Sequence, residues 1–243
     1  MRNPWDFPVT QTFHTYVLPT FSVPDPNDAG KTLALPSAPN DLVLDPQGNV
    51  WFTEFNTGLI GRLDPQTGHI QHYPLTTTGN VRTLVPYGLT RDVQGAVWFT
   101  ETGGGSIGRL DPTTGQIRLF LLPWHGVTPM EIASDREGMI WVTTFNAGLL
   151  LELDPRTGHF TRYTASLSST DAGGLYGLVV ASNDDVWVSM LAQNALARLD
   201  NKTHQFTYYR VPTTNSSPLA LIAGPNQTFW FSESEKLGVL AFG

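Results

Sequence analysis

The chain has 243 residues, with 14 Lys and Arg against 21 Asp and Glu and a net charge of −7. That balance, without a basic stripe anywhere, excludes a nucleic-acid binder, and the absence of cysteine excludes disulfides and thiol chemistry. Only 14% of the residues are charged, too few for a disordered segment, and the length allows a sizeable core.

The start, Met1 to Pro8, lacks the apolar stretch of a secretion signal, and no apolar run is long enough to span a bilayer. The expectation is a cytoplasmic protein without a membrane partner; the oligomeric state is left open. The sequons at Asn201, Asn215 and Asn226 read as chance matches in a chain of that kind. Phe13-His14-Thr15-Tyr16-Val17-Leu18-Pro19 then reads as a lone strand. Residues 19–39 follow, carrying Pro24, Pro26, Gly30 and Pro36 and no strand pattern, and read as a long loop acting as a lid.

From Asn40 onward the chain rewrites one stretch. Asn49-Val50-Trp51-Phe52-Thr53-Glu54 returns around Trp98, Trp141, Trp187 and Trp230, at spacings of 47, 43, 46 and 43 residues. A period of that size, carried by short β-branched and aromatic runs, predicts a propeller with one blade per repeat. Each repeat reads as four short strands, A to D. In the first, A is Asp41 to Leu44, B is Val50 to Thr53, C is Leu59 to Leu63 and D is Ile70 to Tyr73, separated by Asp-Pro-x-Gly and Asp-Pro-x-Thr-Gly turns. The fifth repeat stops after its strand C, Leu237 to Leu240. The N-terminal strand resembles Phe206 to Pro212, a strand D. The expected fold is therefore an all-β, five-bladed propeller forming one domain over residues 1–243, in which residues 11–18 pair with Leu237–Leu240 and complete the last blade.

Strand direction alternates within a blade, so the starts of strands A and the ends of strands B share one face. Asn40, Asp41, Tyr87, Met130, Glu131 and Tyr176 fall nearest the axis there, with Glu54, Glu101 and Glu233 just outside and Trp124 and His125 on a neighbouring loop. This predicts a bowl of carboxylates, two tyrosines and one imidazole. Like charges held close raise the pKa of at least one carboxyl and create an acid or base. Glu131 and His125 break the repeat, which makes them the expected catalytic pair, with Glu101 and Glu54 as further catalytic candidates. Glu54, Glu101 and Glu233 recur with the repeat and can equally be structural. Tyr87, Tyr176, Trp124, Met130 and Asn40 are the expected substrate contacts. Asp41, Glu131 and Glu233 are the oxygen ligands that Mg²⁺ or Ca²⁺ would take.

The repeat Val-Trp-Phe-Thr-Glu…Ile-Gly-Arg-Leu-Asp-Pro-x-Thr-Gly, from Val50 to Leu63 and again from Val97 to Leu110, resembles the streptogramin lyase (virginiamycin B lyase) family over nearly the whole chain. The resemblance implies a propeller, seven-bladed in that family, and an enzyme that opens a cyclic depsipeptide antibiotic by Mg²⁺-dependent elimination, with a histidine acting beside glutamates. The family's histidine position lies fourteen residues before the motif glutamate. Here it is taken by Asn40, Tyr87, Met130, Tyr176 and Leu219, none a histidine. Three functions follow as expectations. The first is a lyase-like enzyme, or an isomerase or cyclase of secondary metabolism, that moves a proton on a small cyclic molecule. The second is a metal-dependent lactonase, and the third a propeller that binds a small molecule without chemistry.

Overall fold

The computed structural model describes residues 14–25, 28, 30–75, 84–167 and 173–242, and every regular element among them is a strand. The first two, β1 (Thr20–Pro24) and β2 (Thr32–Pro36), form an antiparallel hairpin. The reading of residues 19–39 as a loop without strands is thereby corrected. Pro24 and Pro36 close the two strands at their ends, where a missing N–H does little damage to a ladder.

Four sheets of four antiparallel strands follow in chain order. The first holds β3 (Pro39–Leu44), β4 (Val50–Glu54), β5 (Leu59–Leu63) and β6 (Ile70–Pro74). The second holds β7 (Pro86–Arg91), β8 (Val97–Glu101), β9 (Ser106–Leu110) and β10 (Ile117–Leu121). The third holds β11 (Pro129–Ser134), β12 (Ile140–Thr144), β13 (Leu149–Asp154) and β14 (His159–Thr164). The fourth holds β15 (Leu175–Val180), β16 (Val186–Met190), β17 (Ala195–Leu199) and β18 (Phe206–Arg210). A fifth sheet has three strands, β19 (Leu221–Ala223), β20 (Thr228–Ser232) and β21 (Leu237–Ala241). The arrangement is that of a β-propeller, and the strands predicted in the repeats fall where they were expected.

The core lies between consecutive sheets. Trp51, Ile60 and Tyr73 of the first pack on Leu89, Val97 and Phe99 of the second. Trp98, Ile107 and Phe120 pack on Ile132, Ile140 and Val142 of the third, and the same layering repeats twice more. Two pairings explain the motif. The A–B turn aspartate accepts the indole N–H of the repeat tryptophan, at 3.1 Å for Asp45–Trp51, 2.7 Å for Asp92–Trp98 and 2.9 Å for Asp135–Trp141. The glycine of Ile-Gly-Arg-Leu sits opposite the motif phenylalanine: a Cβ on Gly61 would lie 2.2 Å from the Phe52 ring, and one on Gly108 1.9 Å from the Phe99 ring. Where strand B carries Val142 or Val188 instead, strand C carries Leu151 or Ala197. The volume is conserved across the pair, as a close-packed interior requires.

The expected closure of the last blade is not what the structure has. The fifth sheet has no fourth strand among the described residues, and residues 14–19 form none. Tyr16 instead donates its hydroxyl to the Pro65 carbonyl of the first sheet at 3.3 Å. Residues 11–13 of the expected strand lie outside the described residues. The resemblance to Phe206–Pro212 identified a strand D sequence but not the sheet beside which it sits.

Candidate active site at the axis

Strands A of successive sheets lie against one another and so line the axis. Those of the first four sheets carry a bulge there, between Pro39 and Leu42, Pro86 and Leu89, Pro129 and Ile132, and Leu175 and Leu178. A bulge removes residues from the ladder and re-aims their side chains. The residues it releases are Asn40 and Asp41, Tyr87 and Gly88, Met130 and Glu131, and Tyr176 and Gly177.

The motif threonine takes over the lost hydrogen bonding. Thr53 accepts the amide of Asp41 at 3.0 Å and donates to the Tyr87 carbonyl of the next blade at 2.9 Å. Thr100 joins Gly88 to Met130, Thr143 joins Glu131 to Tyr176, and Ser189 joins Gly177 to Leu219 in the same way. The hydroxyls thus form a relay from blade to blade around the axis. Sequence reasoning passed over them, although Thr and Ser at one place in every repeat were the signal. At two of the four bulges glycine is required: a Cβ on Gly88 would lie 2.6 Å from the Met130 carbonyl, and one on Gly177 2.3 Å from that of Leu219. The other two carry Asp41 and Glu131.

These carboxyls differ in their surroundings. Asp41 accepts the amide of Leu42 at 2.8 Å and that of Leu89, in the next blade, at 2.7 Å. Burial raises its pKa and the two amides oppose the rise. No hydrogen bond reaches the Glu131 carboxyl among the described residues. Burial, and then the charge of Asp41, push it up to about 7. Tyr87 and Tyr176, from the blades on either side of Glu131, meet hydroxyl to hydroxyl with their rings edge-on at 6.3 Å. Burial raises the Tyr176 phenol further, with the Tyr87 hydrogen bond and the carboxyls of Glu131 and Asp41 adding to it. Asn40 donates its side-chain amide to the Tyr87 carbonyl at 3.3 Å, and Phe55 packs edge-on against the Tyr87 ring at 6.1 Å.

The remaining candidates lie elsewhere. Glu54 and Glu101 are fully buried, and their partners belong to their own blades. Glu54 meets His72 Nδ1 at 2.6 Å and Thr57 Oγ1 at 3.2 Å, while Glu101 accepts the amides of Val85 at 2.9 Å and Gly104 at 2.5 Å. Glu233 is in the fifth sheet's B–C turn, with one carboxyl oxygen buried and unpartnered. Trp124, an expected substrate contact, packs edge-on to Phe160 at 6.4 Å, beneath Arg162, and lines the same cleft as His125. His125 is exposed beside it, in a cleft of about 290 Å³ shared with Thr102 to Gly105, in which Glu131 takes no part. The geometry therefore does not bring His125 to Glu131 as its partner across the bowl. His72 pairs with Glu54 and meets the Phe21 ring of the hairpin edge-on at 5.0 Å. Its place in strand D is held by Leu119, Arg162 and Tyr208 in the other blades, so nothing in the repeat pointed to it.

Among the described residues no three His, Cys, Asp or Glu side chains come together as a metal site. Both Asp41 oxygens already accept backbone amides, and Glu233 belongs to the sheet farthest along the chain. The set of Asp41, Glu131 and Glu233 does not fit Mg²⁺ or Ca²⁺, and the chemistry below is derived without a cation.

A model of the virginiamycin B lyase family matches residues 25–236. The chain belongs to that family. Virginiamycin B lyase from Staphylococcus aureus has a solved structure that superposes with a TM-score of 0.77 at 28% identity, covering 92% of this chain and 74% of that one. A catalytically inactive histidine-to-alanine variant of the same lyase, solved with quinupristin, superposes at 0.76 and 27% identity, covering 91% and 74%. A streptogramin B lyase superposes at 0.74 and 25% identity, covering 92% and 76%. No curated protein matches the chain. Membership of the virginiamycin B lyase family supports a lyase-like activity in general.

Proposed function

We propose that the protein is a lyase-like enzyme whose blades, five in this chain, hold a small cyclic molecule at the axis and move a proton on it with Glu131. The observation that carries this is the Glu131 carboxyl, free of hydrogen bonds among the described residues and pushed up to about 7, beside a half-buried pair of phenols. A group with that pKa is available as base and as acid at neutral pH. As carboxylate it takes a proton from the carbon next to a carbonyl. The phenol pair of Tyr87 and Tyr176, in which one hydroxyl donates to the other, has one proton left to donate to the oxygen on which charge builds, which is how preorganised dipoles lower such barriers. The C–O bond of the ring ester then breaks, a C=C bond forms, and the protonated Glu131 returns its proton to the leaving oxygen. Burial holds the Glu131 pKa up, and Asp41, fixed by two amides, adds to it. Asn40 and Met130 line the approach. Isomerisation or cyclisation in secondary metabolism would use the same proton transfer with a different bond to break.

Quinupristin and a panel of smaller cyclic esters, followed by mass spectrometry, test this reading. Elimination opens the ring without change of mass, and Glu131→Gln lowers the rate by about 10²-fold. A product heavier by one water would mean a lactonase instead, and binding without turnover a non-catalytic propeller.

A further inference from the structure

β7 runs from Tyr87 at the axial site to Arg91 at the opposite face of the propeller. The same place in strand A of the other blades is held by Leu44, Ser134, Val180 and Ala223, so Arg91 is a cation that the repeat does not demand. Among the described residues its guanidinium makes one hydrogen bond, a long one of 3.4 Å from Nη1 to the Leu44 carbonyl of the first blade. Its Nε is buried without an acceptor. A buried charged donor left unpaired costs stability, and so calls for a partner.

Arg109, from strand C of the same blade, is unpaired for a different reason. Its equivalents Arg62 and Arg198 face the A–B turn aspartate of their own blades, at 3.8 Å for Asp45 and 3.6 Å for Asp185. Arg109 forms no such pair with Asp92, whose carboxyl accepts the amides of Gln94 and Ala96 and the Trp98 indole. It lies over the Trp98 ring, 5.9 Å from the centroid, with no hydrogen-bond partner among the described residues. Arg91 and Arg109 line one cleft of about 420 Å³ between the first and second blades. The acids on its walls are Asp45 and Asp111. Asp45 is held by Asn49, Trp51 and Arg62, and Asp111 by the amides of Thr113 and Thr114. Each acid is thus tied within its own blade, and the two guanidiniums keep free N–H groups.

We infer that this cleft is a binding site for a small oxyanion, a phosphate or carboxylate group held by the guanidiniums of Arg91 and Arg109. Arginine presents its donors in a planar fork that matches the oxygens of either group. Gly95 leaves room for that fork: a Cβ there would lie 3.3 Å from Arg91 Nη2, and its φ is +91°. The exposed Gln47 and Gln94 add side-chain amides to the lining. Four steps of strand, about 13 Å, separate Arg91 from Tyr87. The anion site is therefore distinct from the axial one and does not depend on the chemistry proposed there.

Inorganic phosphate, acetate and chloride, each titrated at one fixed ionic strength and followed through the arginine Nε–Hε resonances in NMR, test this. Phosphate or acetate should shift the Arg91 and Arg109 signals to saturation, and the tighter of the two names the group the site takes. Chloride should not shift them to saturation. Arg91→Ser and Arg109→Glu install the residues that the third blade carries at these places, Ser134 and Glu152. Each should weaken the binding by about tenfold or more. Arg91→Lys keeps the charge without the fork and should fall between Arg91→Ser and the parent. The parent titration decides even where a variant fails to fold: signals that move with chloride as far as with phosphate and acetate overturn the inference. Folded variants that bind as tightly as the parent overturn it too, since the shifts then report an adventitious ion only.

Discussion

Glu131 and Asp41 stand at equivalent places in two blades, yet only one is free to act. The difference lies in two backbone amides, which tie down Asp41 and leave Glu131 without a partner among the described residues. In the folded chain Glu131 holds its proton up to about pH 7, against 4.5 for the ordinary value. Its contribution to stability is complete below about pH 4.5 and is lost as the pH rises through about 7, because the folded form then gives up a proton the unfolded form has already lost. Glu131→Gln removes that dependence. Its unfolding free energy relative to the parent should rise between pH 5 and pH 8, by an amount bounded at about 3 kcal/mol. An equal difference at both pH values would mean that the carboxyl titrates in the ordinary range. At this scale the sequence made Glu131 legible because the equivalent positions, Asp41, Gly88, Gly177 and Ala220, show that the repeat does not demand a carboxyl there. The tie on Asp41 was not legible, since it comes from an amide in the next blade. Trp124 and His125 also break the repeat, but on a loop whose path depends on Phe160 and Arg162.

Single blades are governed by the fit between strands B and C. Gly108→Ala forces a methyl group against the Phe99 ring and should cost about 1–3 kcal/mol, as overpacking does. Phe99→Val in the same chain reproduces the Val188–Ala197 pair of the fourth blade and should restore part of the loss. Urea unfolding of the single and double variants measures this, and a double variant no more stable than Gly108→Ala would refute the volume rule. Trp98→Ala should cost about 3–5 kcal/mol, for a fully buried indole bonded to Asp92. Trp230→Ala should cost less than half as much, because its indole is open to solvent; equal losses would show that the outer face of the fifth sheet is covered in solution. Strands B and C were readable because each obeys a pattern within one hairpin. The hairpin of β1 and β2 was obscured by its prolines, which mark strand ends in the fold but read as breaks in the chain.

At the scale of the molecule, the repeat carries the propeller and the axis carries the chemistry. Tyr87, Glu131 and Tyr176 come from three blades and Asp41 from a fourth, so the site exists only when consecutive blades are stacked and the hydroxyl relay is in register. That much follows from periodicity, since each of the first four blades presents its bulge to the same axis. Where the N-terminal segment sits does not follow, because strand D sequences are alike and its Tyr16–Pro65 contact is defined only in three dimensions. The claim on which the account turns is that one carboxyl at the axis titrates near neutrality. Carbon-detected NMR of the glutamate side-chain carboxyls, titrated from pH 3 to pH 9 in the parent and in Glu131→Gln, reads it directly. The account predicts one resonance in the parent with a midpoint near 7 that is missing from the variant; a parent in which every glutamate titrates in the ordinary carboxylate range would contradict it.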